Sequence, residues 1–282
     1  WGDNGIYISL HQHETTSTDP NVRNTWNHLT VAISRALTAI TGLQTNNDPS
    51  AKLFIAEARA MRAYYNLLLL DMFGVVFRKE DPTAISEVLR GAEAVAYIQS
   101  ELEAVEPVLE TAAAGPGRLT KAGVWGLLAR LHLNAAVYRD RYAATFDFRK
   151  EDMDKVVEYC DKIINSGQYQ LAAEYFSLFD DNNHTNKELI FAVDQRADLA
   201  GHNRMAYFTL SGDQWPLATN TNANGTDGPA ITPDFYQSWE TAYAPVDPAA
   251  ADPRFFKQNM SIYTNPGDSC VDAAQYNINR GI

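Results

Sequence analysis

From Asn24 to Gly167 apolar residues recur every three to four positions, the period of helices that turn one side inward. The pattern predicts helices near 24–42, 51–74, 86–113, 120–141 and 151–167, separated by the breakers TNNDPS, VVFRKEDPT, GPGRL and YAATFDF. Connections this short bring consecutive helices alongside one another in antiparallel pairs, the arrangement of tetratricopeptide-like solenoids. No strict repeat of the roughly 34-residue tetratricopeptide length recurs, so any repeats are degenerate.

The helix FIAEARAMRAYYNLLLLDMFG carries Glu57, Arg59 and Arg62 among apolar residues. Advancing about 100° per residue puts Phe54, Ala58, Met61, Tyr65, Leu68, Leu69 and Met72 on one face. Ala56, Ala60, Ala63, Leu67 and Leu70 form a second, smaller face. Glu57, Tyr64 and Asp71 mark one seam between the faces, and Arg59, Arg62 and Asn66 mark the other. A helix with two apolar faces is sandwiched between neighbours, and charges on its seams pair across helices or with loop carbonyls. Catalytic carboxylates would need a shared cleft, which this pattern does not supply, so the three charges read as scaffold. The helix TKAGVWGLLARLHLNAAVY behaves alike: Trp125, Leu128, Ala129, His132, Ala135 and Ala136 share one face, and Val124, Leu127, Leu131 and Tyr138 another. His132 therefore reads as a hydrogen-bonded interior histidine.

After Gly167 the texture changes. EYFSLF reads as a short helical turn, and KELIFAVDQ has the continuous apolar run of a buried strand. Residues 195–230 form a long connection rich in Asn, Gly, Thr and Asp, a length that is usually functional or disordered. TPDFYQSW begins a further helix, with Thr at the cap and Pro at the first helical position. The expected organisation is an N-terminal loop segment, 1–23, a helical region, 24–171, and a loop-rich region, 172–282, in one structural unit.

Composition narrows the function classes. The 282 residues are 45% hydrophobic, enough for one large core or two smaller ones. A net charge of −12 opposes nucleic-acid binding and suits a neutral or cationic ligand. No apolar run approaches the roughly 20 residues needed to cross a bilayer. The chain opens at Trp1 without the charged and apolar regions of a signal peptide, and YNINRGI closes it without a helix stop, so the ends read as those of a piece of a longer protein. Two cysteines are too few for a disulfide framework. Cys160 shares a face with Val156, Ile163 and Ile164 and is expected to be a buried free thiol, whereas Cys270, in a polar, Asp-rich context, has no assignment.

Several separated segments together resemble the SusD/RagB-like family, the surface-exposed outer-membrane lipoproteins of Bacteroidetes nutrient-uptake systems. AEARAMRAYYNLLLLDMFG, from Ala56 to Gly74, is similar to the family's AEARFLRAYAYFDLVRLFG helix, and RLTKAGVWGLLARLHLNAA, from Arg118 to Ala136, to its RATKGAALALLARVYLYAG helix. YCDKIINSGQYQL resembles a family helix ending in SGKYXL, NKELIFAVD its SEIIFSI-like strand, and GPAITPDFYQSW followed by DPRF its turn, short helix and D-x-R element. The matches fall in family order across most of residues 24–256. Two scaffold positions depart from the pattern: Ala36 and Leu37 stand where the family often has Asn after a small residue, and VVFRKED follows the FG where Pro is common.

The resemblance implies a mainly α fold of tetratricopeptide-like hairpins packed on an irregular subdomain with a few short strands. It also implies a cell-surface protein held at the outer membrane by an N-terminal lipid, capping a TonB-dependent porin of the SusC type. Such a protein binds glycans, or in some branches peptides, for import. It implies neither catalysis nor a cofactor, and the isolated chain is expected to be monomeric.

Sugars present apolar C–H faces and a rim of hydroxyls, so their sites combine an aromatic plane with polar rim groups. Two stretches outside the helices have that composition, residues 1–19 and 211–228. The leading candidates are Trp215 as a stacking plane with Asp213, Gln214 and Asn220 at its rim, followed by Trp1, Tyr7 and His11. Trp26 reads as packing. In His11-Gln12-His13-Glu14 the two imidazoles could face a metal from one side of a strand, but a structural zinc site wants four ligands and no companion Cys cluster exists, so no metal is expected. The Asn220-Asn222-Asn224 spacing echoes a calcium loop, yet carboxylates are missing and Ile231 stands at position twelve. Two readings compete with glycan binding. A glycoside hydrolase needs two carboxylates about 5 to 10 Å apart in one cleft, and no pair is obvious. A protein-binding helical scaffold is permitted by the solenoid alone.

Overall fold

The computed structural model describes residues 5–112, 115, 117–179, 183–195, 232–243, 261–263 and 270–272. In chain order its elements are α1 (Ile8–His11), α2 (Pro20–Leu43), α3 (Ala51–Phe73), β1 (Val76–Arg78), β2 (Glu87–Leu89), α4 (Gly91–Val105), α5 (Lys121–Leu133), α6 (Ala135–Arg139), α7 (Lys150–Asn165), α8 (Pro233–Tyr243), β3 (Ser261–Tyr263) and β4 (Cys270–Asp272). The fold is mainly α, as expected. The chain divides into two compact units, one of residues 16–194 and one that joins 1–15 to 195–282.

In the larger unit α2 starts earlier than the periodicity predicts. The Asp19 carboxylate accepts from the amides of Asn21 and Val22, and Pro20 occupies the first helical position, where its missing N–H leaves no bond unmade. α3 packs between α2 and α4, α5 packs on α7, and α4 touches both α5 and α6. The small-residue face of α3 is the inner one: Ala56, Ala60, Ala63, Leu67 and Leu70 join Ile98, Leu102 and Val105 of α4 and Val124, Leu128 and Leu131 of α5 in the main core. Each fully buried Leu or Ile there contributes about 1.5–3 kcal/mol relative to exposure.

The larger-residue face is only partly inside. Leu69 meets Leu29 and Ile33 of α2 in a second cluster, but Phe54 and Met72 are 40% and 53% exposed, contrary to the expected inward face. α3 stops at Gly74, whose φ of 71° is a left-handed cap open to glycine at little cost.

Four further expectations are corrected. The helix predicted over 86–113 is α4 alone, because residues 87–89 pair antiparallel with 76–78 and Pro107 turns the chain into a single 3-10 turn at 106–108. The pair β1–β2 is fastened to α3 by Asn66, whose side chain mimics a peptide: Phe77 N donates to its Oδ1 at 2.9 Å and its Nδ2 donates to Phe77 O at 3.3 Å. The helix predicted over 120–141 breaks at Asn134, whose side-chain amide donates to Arg130 O. At its start Thr120 caps the helix, its Oγ1 accepting from Gly123 N. Lys187–Gln195 is not a strand: among the described residues it has no ladder partner, its backbone O at Lys187 accepts from Gln170, and Phe191 packs edge-on against Tyr64. EYFSLF does form a short turn, a 3-10 helix at Tyr175–Phe179. Cys160 is a free thiol, half-buried against the main core rather than fully buried.

In the other unit α8 begins as predicted, with Thr232 Oγ1 accepting from Phe235 N and Pro233 at the first helical position. β3 and β4 pair antiparallel, Ile262 opposite Val271.

Candidate functional site

Of the residues singled out for stacking and rim contacts, Trp215, Asp213, Gln214, Asn220 and Trp1 lie outside the described residues. Tyr7 caps the single turn α1 and is half-buried, while His11 ends that turn and is exposed. His13 sits at a left-handed φ of 59°, so the strand geometry that would align it with His11 is not formed. No group of three metal-ligating side chains occurs among the described residues.

The seam charges of α3 find their partners inside the larger unit. Arg59 and Arg62 both grip Glu101 of α4, at 2.7 and 2.8 Å. Arg62 is 2% exposed; its Nη1 also donates to Lys79 O at 2.9 Å, and its Nε has no partner among the described residues. Burial alone would raise the Glu101 carboxyl, but the two guanidinium groups outweigh it and hold Glu101 below the usual carboxylate range. Tyr97 beside them is pushed up to about 12, chiefly by burial. On the opposite seam Glu57 takes a two-pronged grip from Arg118, which also lies 5.5 Å over the Phe54 ring.

His132 is interior, as expected. Its Nδ1 meets Asp152 Oδ1 at 3.3 Å, its ring stacks on Tyr159, and its Nε2 has no partner among the described residues. Arg139 donates to the other oxygen of Asp152. Burial would raise the Asp152 carboxyl, yet Arg139 and His132 together hold it below its ordinary value. An Asp–His pair can orient a general base, but neither cavity described below includes it and no Ser or Cys accompanies it in these contacts.

Two cavities open in the larger unit. One, of about 270 Å³, lies between α2 and the β1–β2 pair. Trp26, Thr30, Ile33, Ser34 and Leu37 supply one wall at helical spacing, and Phe77, Lys79, Ser86 and Arg62 close it. Trp26 packs edge-on against Phe73 and Phe77 at 5.1 and 5.7 Å. The other, of about 360 Å³, runs beside Phe54, Glu57 and Arg118 to Glu110 and Thr120. There the exposed Phe54 ring already carries the Arg118 guanidinium. Sequence reasoning missed the first cavity. Its α2 stripe is visible as a hydroxyl-bearing row, but the opposite wall belongs to two short strands that the pattern did not reveal.

Comparison with known proteins places the fold. No protein-family model matches the chain. The starch-binding protein SusD of Bacteroides thetaiotaomicron is 34% identical over 146 residues, which is 50% of this chain and 25% of that protein. A SusD superfamily protein from Parabacteroides distasonis superposes with a TM-score of 0.74 at 20% identity, covering 96% of this chain and 58% of that one. A surface glycan-binding protein A from Bacteroides thetaiotaomicron, in complex with laminarihexaose, superposes with a TM-score of 0.66 at 19% identity, covering 95% of this chain and 59% of that one. The chain thus spans a quarter of the curated relative and somewhat over half of these two solved structures.

Proposed function

We propose that the chain is a SusD-like protein that binds oligosaccharide without turning it over and delivers it to a TonB-dependent porin of the SusC type, a reading supported by its likeness to SusD and to a SusD superfamily fold. The observation that carries the carbohydrate part is the 34% identity to a starch-binding protein, supported by a fold shared with a laminarihexaose complex. No helix among the described residues is long and apolar enough to cross a membrane. The attachment to the outer membrane proposed from the family resemblance is a lipid at the N-terminus of the full-length protein.

The proposed glycan surface is the stretch around Trp215, with Asp213, Gln214 and Asn220 as rim partners and Trp1, Tyr7 and His11 as a second group. An indole plane covers the C–H face of a pyranose, and amide and carboxylate groups meet its hydroxyls. A relay protein must also release its ligand, which suits dissociation constants of roughly micromolar to millimolar.

Titration with fluorescently labelled oligosaccharides tests the binding reading: saturable binding with no product on prolonged incubation is expected, and turnover would indicate a hydrolase instead. Trp215→Ala is expected to weaken that binding by about 1–3 kcal/mol. Unchanged affinity would move the site to Trp1 and Tyr7. For the partnership, the full-length lipoprotein is expected to co-purify with a TonB-dependent porin from outer membranes in mild detergent. Recovery without any porin would favour a free-standing binding protein.

A further inference from the structure

We propose that the cavity between α2 and the β1–β2 pair is a subsite for one neutral pyranose ring, a glycan contact separate from the Trp215 stretch. The choice of a sugar rests on the carbohydrate reading above, whereas neutrality, hydroxyl character and size come from the cavity itself. The ionic groups around its Arg62 and Lys79 walls balance. Arg59 and Arg62 share Glu101, Arg62 also reaches Glu80 at 3.4 Å, and Lys79 stands beside the Asp81 carboxylate. Three cations thus meet three carboxylates, and an ion of either sign entering the cavity would give up its hydration without gaining an unspent counter-charge.

What the lining offers instead is hydroxyls. Those of Ser34 and Ser86 have no hydrogen-bond partner among the described residues, and neither has the indole N–H of Trp26. Each serine hydroxyl can donate one hydrogen bond and accept others, while the indole only donates. Thr30 spends its hydrogen on Trp26 O at 3.0 Å, or on Asn27 O at 3.1 Å, and keeps only acceptor capacity. A ligand that satisfies this mixture must itself both give and take hydrogen bonds at several points. The hydroxyls of a sugar do so, whereas a carboxylate only accepts and an ammonium only donates.

The remaining lining suits the other half of a sugar. Ile33 and Leu37 are buried, and Trp26 and Phe77 add aromatic surface, their rings fixed at 86° to each other with centroids 5.7 Å apart. Together they give the C–H positions of a pyranose an apolar bed. The volume of about 270 Å³ falls just short of the roughly 300–1,000 Å³ of pockets that enclose drug-sized ligands. One ring therefore enters, and the rest of a chain stays outside, past Ser34, which is exposed.

The test is a ¹H–¹⁵N titration of the 282-residue chain with D-glucose, the simplest neutral probe of this class, following the Trp26 indole resonance assigned through Trp26→Phe. Saturable movement with a dissociation constant in the millimolar range is expected. Cyclohexanol, a ring with one hydroxyl, is expected to bind at least about fivefold more weakly, and sodium glucuronate, the same sugar with a carboxylate, no more tightly than D-glucose. Ser34→Ala and Ser86→Ala, in chains whose urea unfolding matches the native one, are each expected to weaken D-glucose by about two- to tenfold. No saturable shift at Trp26, cyclohexanol equal to D-glucose, glucuronate tighter by fivefold or more, or unchanged D-glucose affinity in both serine variants overturns the proposal. The labelled oligosaccharide titration separates the two readings: binding there with no response at Trp26 sinks the cavity alone, and no binding in either experiment sinks both.

Discussion

Glu101 and Glu57 are both carboxylates held by guanidinium groups across the borders of α3, one toward α4 and the other toward the segment that leads into α5. Glu101 is nearly enclosed and answers to two arginines, one of them 2% exposed. Glu57 answers to a single arginine whose side chain is 45% exposed, so water can replace that partner on demand. The same chemistry therefore has different weight on the two seams. Removing one member of a buried network strands the others without solvent, whereas removing one member of an exposed pair returns its partner to water.

The largest effect is expected from Glu101→Gln, which leaves two cations, one of them buried, facing a neutral amide. A loss of about 3 kcal/mol follows, or roughly 6–12 °C in the melting temperature of the helical unit, measured by thermal or urea unfolding. A loss below about 1 kcal/mol would erase the contrast between the seams.

The acid response sharpens it further. Glu101 is held below its usual range in the folded state, so its contribution is present above the unfolded carboxylate value near about 4.3 and is lost as pH falls through the folded value. The stability gap between the native chain and Glu101→Gln is therefore expected to narrow in urea titrations as pH drops below about 4. A gap that stays constant with pH would mean that the variant acts through packing alone.

The smallest effect is expected from Glu57→Gln. With Arg118 free to remain over the Phe54 ring, the cost should be about 0–1 kcal/mol, checked by the same unfolding curves.

Much of the larger unit was legible in the sequence because its signals are local. The 3.6-residue period located α3 and α7 within a residue or two, and Thr232 announced the helix it caps. The seam reading of Arg59 and Arg62 was legible for the same reason, although their common partner Glu101 lies some 40 positions away and only packing reveals it. What was not legible depends on contacts between distant segments. Strands of three residues carry too little periodicity to register, and the group that pins them, Asn66, looks in sequence like any polar seam residue. The apolar run through Phe191 was mistaken for a strand because continuous hydrophobicity serves packing on helices as well as a ladder. The first cavity inherited that blindness through its Phe77, Lys79 and Ser86 wall, whereas the Trp26 row on α2 could have been noticed.

Gly91, which opens α4 at a φ of 54°, brings two stretches of main chain close together: a Cβ built there would stand 2.7 Å from the carbonyl oxygen of Arg139. Main chain cannot swing aside as a long side chain can, so the position has essentially one permitted occupant. Any substitution would push on the last residue of α6. That residue also grips Asp152, and through it His132. Evolutionary drift and laboratory mutagenesis should thus find Gly91 frozen amid tolerant neighbours, and damage done there should be felt first in the polar contacts between α5 and α7.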